Sequence, residues 1–166
     1  MRFLKKGIFL LVALAMTAGL TARIEGIAAD KGKSIPKTKD EFQKMYVDFL
    51  LAEGYKPEID KDGDVIFKYE GKNYFIQVNE TDGQYFRLVF PSFWPIESED
   101  ERKKVLLAAN NSTWMTKGAK ICMVRNDVWI SVDVFMATPD QFRDVFKRSL
   151  TAIQSGLANF MAEMKK

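Results

Sequence analysis

The sequence predicts an α+β domain in the order helix, three strands, helix, two strands, helix. Its antiparallel sheet has five strands and carries the helices on one face. Three observations predict this. Asp64 to Phe90 contains three alternating apolar runs separated by short turn signals. Ala119 to Met136 contains two more runs around Asn126-Asp127. Capping patterns at Thr38, Ser98 and Thr138 open a helical period before, between and after these strands.

The first helix starts at Thr38-Lys-Asp-Glu41. There the Thr hydroxyl takes a free backbone N–H and the Glu reaches back to the cap. Phe42, Met45, Tyr46, Phe49 and Leu50 follow at helical spacing, and Gly54 ends the helix. Pro57 to Gly63 reads as a turn. From Glu58 on, acids stand at the first, third, fifth and seventh places of a calcium-loop pattern, with Gly63 sixth. The twelfth place is Tyr69 rather than Glu, and a strand follows instead of a helix. The segment is therefore read as an acidic turn with no metal.

Gly71-Lys72 suits a two-residue hairpin turn, pairing Val65 with Val78, Phe67 with Ile76, and Tyr69 with Tyr74. Thr81-Asp-Gly83 suits a three-residue turn with Gly83 left-handed. It pairs Val78 with Phe86, Ile76 with Leu88, and Tyr74 with Phe90. Both turns send the same residues to one apolar face. Pro91 and Pro95 are expected to end the ladder. Ser98-Glu-Asp-Glu101 opens a second helix through Val105, Leu106, Ala109 and Thr113 to about Lys117. An Asn126-Asp127 turn then pairs Met123 with Ile130, Ile121 with Val132, and Lys120 with Asp133. Thr138-Pro-Asp-Gln141 starts the last helix, whose stripe is Phe142, Val145, Phe146, Ser149, Ile153, Leu157, Phe160 and Met164.

Composition bounds function and compartment. Met1 to Lys6 is basic, Gly7 to Leu20 is uncharged, and small residues lead to Ala28-Ala29. This is the grammar of a cleaved signal peptide over residues 1–29, and the run is too short to span a bilayer. Residues 30–37 form a polar lead-in, and residues 38–166 a single domain. The expected location is periplasmic or secreted, with no stable membrane insertion after cleavage. Of 25 basic and 22 acidic residues, four and one lie in the leader, leaving 21 of each. A neutral domain has no global attraction for nucleic acid.

The absence of His excludes His-based triads, metal ligands and pH switches. Cys122, the lone Cys, has no His to act as its base. The acids occupy turns and helix starts, and no Gly-rich phosphate loop is present. No catalytic residue, cofactor site or metal site is therefore assigned.

Four stretches resemble the YbjN-like family of bacterial sensory transduction regulators. They are Phe49-Leu-Leu-Ala-Glu-Gly54-Tyr55-Lys-Pro57-Glu-Ile-Asp60, Asp64-Val-Ile-Phe67-Lys-Tyr69-Glu-Gly71, Phe93-Trp94 with Ile96-Glu97-Ser-Glu99, and Val128-Trp-Ile-Ser-Val132. The resemblance implies the fold of type III secretion chaperones, small dimers that bind segments of other proteins. It implies a non-enzymatic domain, chaperone-like or regulatory, that holds a protein or peptide partner as a homodimer. On the residues alone, the face opposite the core carries Phe75, Tyr85, Arg87, Trp129 and Phe135, with Phe93 and Trp94 as candidate additions. This is the expected partner or dimer face. The alternative is a small-ligand sensor with a pocket between the sheet and the last helix.

Overall fold

The computed structural model describes Pro36 and residues 38–166; the expected signal peptide, residues 1–29, and nearly all of the lead-in lie outside them. Three helices, α1 (Lys39–Ala52), α2 (Glu99–Met115) and α3 (Phe142–Glu163), accompany one antiparallel sheet. Its strands are β1 (Glu58–Ile59), β2 (Val65–Tyr69), β3 (Lys72–Ile76), β4 (Tyr85–Pro95), β5 (Lys120–Val124) and β6 (Asp127–Phe135), in the order β1-β2-β3-β4-β6-β5.

The sheet thus has six strands instead of five. The acidic turn makes the extra one. Asp60 Oδ1 accepts the amides of Asp62 and Asp64, and Asp60 N donates to Asp64 O, which folds Glu58–Ile59 back onto β2.

The expected core face is the observed one. Phe42, Tyr46 and Phe49 of α1, Val105 and Ala108 of α2, and Phe142, Phe146, Ile153 and Phe160 of α3 share one buried cluster with Val65, Phe67, Tyr74, Ile76, Phe86, Leu88 and Phe90. The three helices therefore cover one side of the sheet. Thr38 caps α1 with both halves of the expected box. At α3 a 3-10 turn over Pro139–Gln141 precedes the helix, and Gln141 Oε1 accepts the amides of Ala137 and Thr138.

Two hairpin registers differ from expectation. Val65 pairs with Ile76 and Phe67 with Tyr74, around a Glu70-Gly71 turn with φ of 49° and 75°. Positive φ at both central residues is what a type I′ turn needs. Likewise Met123 pairs with Val128 and Ile121 with Ile130, around Arg125-Asn126. Each turn sits one residue earlier than expected, so each ladder slips by two, and a slip of two keeps every side chain on its face.

Tertiary contacts select both turns. Gln154 of α3 donates to Glu70 Oε2 at 2.8 Å, and Arg102 of α2 donates to Arg125 O and Asn126 Oδ1. Lys120 and Asp133, no longer directly opposite, still form an ion pair across the diagonal.

Two further expectations fail for local reasons. The β3–β4 connection is a longer loop: Ile76 still pairs with Leu88, but Val78 leaves the ladder and donates its amide to Asp64 Oδ1 at 2.8 Å. Gly83 is not left-handed; a Cβ there would stand 2.5 Å from Phe42 Cζ, so close approach is what demands glycine. The ladder also survives the prolines. A bulge between Phe90 and Trp94, with Ser92 at φ 46°, absorbs Pro91, and Pro95 ends β4 opposite Asp127.

Burial pushes the Tyr74 phenol up from 10.0 to about 12, with Glu70 and Tyr69 adding to it, and raises Tyr46 as well. Both phenols favour the neutral form in the fold. Their contribution is complete below the unfolded value near 10.0 and is lost as pH rises through the folded values. The urea midpoint is therefore expected to fall above pH 10 and to fall less in Tyr74→Phe. A flat midpoint through that range in the wild type contradicts this.

Candidate functional site

Register places the outward residues in rows across the sheet. Ile66, Phe75, Val89, Ser131 and Lys120 form one row, Arg87 and Asp133 the next, and Tyr85 and Phe135 the next. Phe75 and Trp129 meet edge to face at 6.0 Å, while Val89, between Phe75 and Ser131, is fully buried. Trp129 Nε1 is buried without a hydrogen-bond partner. Arg87 Nε lies 3.1 Å from Asp133 Oδ1, in ion-pair contact but without hydrogen-bond alignment. Lys120 holds the other oxygen of Asp133, and Arg87 Nη1 donates to Gln77.

Tyr85 and Phe135 meet at a tilt of 46°, their ring centroids 5.5 Å apart, with Phe135 79 % exposed. Burial, and then the Asp133 carboxylate, raise the Tyr85 phenol. The outward face is thus largely tied up within itself, and Phe135 is its projecting aromatic group.

Phe93 and Trp94 do not join this face. Trp94, opposite Val128, keeps the core-side parity of Phe90, and Phe93 within the bulge turns the same way, so both rings pack on Phe160 of α3, at 5.2 and 5.7 Å. Trp94 Nε1 donates to Glu101 Oε1, and Glu97 N to Glu101 Oε2. These bonds hold the Glu101 carboxyl below its usual value, the Glu97 amide first. Glu101 thus serves the strand exit as well as the helix start. Ser98 Oγ still caps α2 by accepting the Glu101 amide.

α2 forms where the sequence predicts it, but its exposed side carries an apolar stripe that the predicted face does not include. Leu107 is 67 % exposed and Trp114 89 % exposed, with Leu106 and Met115 about half exposed. Leu107 and Trp114 stand two turns apart on one stripe, with Asn110 between them. The signal was legible: these four residues lie off the Val105, Ala108, Ala109, Ser112 stripe that α2 buries.

A groove of about 670 Å³ lies between β6, α3 and the α2–β5 loop, where the ligand-sensor reading expected a pocket. Val132 and Val134 form its floor, and Val145, Arg148 and Ala152 of α3 form one wall. Asp60 and Asp64 spend carboxylate oxygens on backbone amides. Among the described residues, no group of His, Cys, Asp and Glu is arranged to hold a metal ion, and no helix is long and apolar enough to cross a membrane. Cys122 is an exposed free thiol on β5.

Residues 47–160 match the family model of YbjN, described as "putative bacterial sensory transduction regulator". None of the curated proteins matches the chain.

Proposed function

The chain belongs to the YbjN family, and on that premise we propose that it is a non-enzymatic, exported regulatory domain. It pairs through α2 as a homodimer and holds a protein or peptide partner. The order of helices and strands supports a type III secretion chaperone-like architecture. The basic, then apolar, then small-residue opening of the chain supports a periplasmic or secreted location.

The observation that carries the reading is the apolar stripe of Leu107 and Trp114, displayed to water on a helix whose other side is core. Exposed apolar patches of this kind mark interaction surfaces. A two-fold axis near Asn110 sets Leu107 of one copy against Trp114 of the other, the self-complementary contact that a symmetric dimer requires.

Light scattering on the mature chain is expected to give twice the monomer mass. Leu107→Ser with Trp114→Ser is expected to halve that mass and to make the urea midpoint independent of protein concentration, with only the stabilisation due to pairing lost, because both side chains are exposed in the monomer. A double variant that stays dimeric removes α2 as the pairing surface.

A second reading, a small-ligand sensor, is favoured by the groove beside α3. A metabolite that binds only the folded chain there must raise its melting temperature, and Arg148→Glu must abolish that rise.

A further inference from the structure

The geometry points to the groove as a docking site for an extended, acidic peptide segment that adds to the sheet as a strand beside the end of β6. This deepens the partner-binding reading and rests on it.

The sheet manages its edges unequally. β1 is two residues long. At β5 the side chain of Thr113 from α2 seals the edge: its Oγ1 accepts Ile121 N at 2.9 Å and donates to Ile121 O at 3.3 Å. At β6 the cover stops short. β5 begins only at Lys120, opposite Ser131, because the chain leaves α2 through Gly118 at φ 75°.

Beyond Ser131, among the described residues, β6 has β4 on one side and no strand on the other. Met136 donates its amide to Gln84 on the β4 side. Strand alternation therefore aims the N–H and C=O of Asp133 and Phe135 toward the uncovered side. An extended chain placed there continues the line of β5 and meets these four backbone groups, the geometry of strand addition.

The surroundings specify the side chains. On the helical side such a strand lies over Val132, Val134, Val145 and Ala152, which favours an apolar residue at every second position. The charge balance favours acids between them. By strand alternation those acids project to the outward face, where Arg87 and Lys120 stand against the single carboxylate of Asp133. Arg148 and Lys117, which line the groove and make no ion pair among the described residues, add positive charge from the helical side. The net field over the groove is positive, so acidic segments are attracted and basic ones repelled.

The test uses the mature chain and two synthetic peptides of about eight residues, one alternating valine with glutamate and one alternating valine with lysine. Binding is read by titration, and its place by hydrogen exchange of the Asp133 and Phe135 amides. The glutamate peptide is expected to bind and protect both amides, and the lysine peptide to do neither. Arg148→Glu is expected to weaken binding about tenfold.

Phe135→Pro deletes an amide that the sheet does not use. It is expected to abolish binding, while Phe135→Ala, which keeps the amide, retains it. Equal binding by these two variants overturns strand addition. Equal binding of the two peptides overturns the charge argument. Protection of both amides before any peptide is added means that a second copy or the chain itself covers the edge, which also overturns the proposal. Absence of glutamate-peptide binding overturns the groove assignment alone, since the pairing through α2 is judged separately by light scattering.

Discussion

Phe142→Ala is expected to lower the stability of the domain by about 3–5 kcal/mol, read as a lower urea midpoint at unchanged slope. Phe142 is fully buried at the start of α3, where three elements converge. Its ring meets Tyr46 and Phe49 of α1 edge to face, both at 4.8 Å, and leans on Phe86 of β4 at 5.7 Å. Truncation removes the transfer energy of the ring and leaves a cavity that neither a helix nor a central strand can collapse to fill. A domain of this size holds about 5–15 kcal/mol in all, so the variant gives up a large share of it. A loss below about 1 kcal/mol would mean that α1 and α3 do not meet over β4 as described.

The second large effect is expected on the opposite face. Asp133→Ala leaves Arg87 and Lys120 without the carboxylate they share. The side chains of Asp133 and Arg87 are 17 % and 30 % exposed, so their charges are only partly solvated. A fully buried pair broken on one side loses about 3–5 kcal/mol. With partial screening by water the expected loss is about 2 kcal/mol. Asp133→Ala with Arg87→Met should recover much of it, because the second change removes the stranded cation and keeps its volume. A single variant as stable as the wild type contradicts this account of the outward face.

Much of the fold was legible because alternation and helical period are local properties. The apolar sets of the strands and the stripe from Phe142 to Phe160 follow from spacing alone, and they are the core. Turn centres were less legible because they are chosen by distant residues. Gln154 reaches Glu70, and Arg102 reaches Asn126, contacts that no local rule contains. The sixth strand was hidden because two residues carry no period, and it exists only through the Asp60 turn. The prolines of β4 misled because a bulge lets a ladder resume after a break.

The candidate face was legible in its members on β3, β4 and β6, since parity assigns Phe75, Tyr85, Arg87, Trp129 and Phe135 outward under either register. Phe93 and Trp94 were not, because they lie past the expected end of the ladder: Trp94, opposite Val128, keeps the core-side parity of Phe90, and Phe93 is turned to the same side within the bulge. Nor was the exposed side of α2 anticipated. Leu107 and Trp114 lie on α2 away from its buried Val105, Ala108, Ala109 and Ser112, and a face defined by strand parity alone does not contain them.

The proposed pairing of two copies along α2, which leaves the sheet and its free edge to a partner, is decided by a cross-link at the two-fold axis near Asn110. In a chain with Cys122→Ser, Asn110→Cys places one thiol midway between Leu107 and Trp114. Mild oxidation is predicted to yield a covalent dimer at this position, because an antiparallel contact centred there brings the two sulfurs within bonding reach. The same oxidation with the thiol at Thr151, on the exposed side of α3, is predicted to leave monomer. No cross-link at position 110, or equal cross-linking at both positions, would contradict the account.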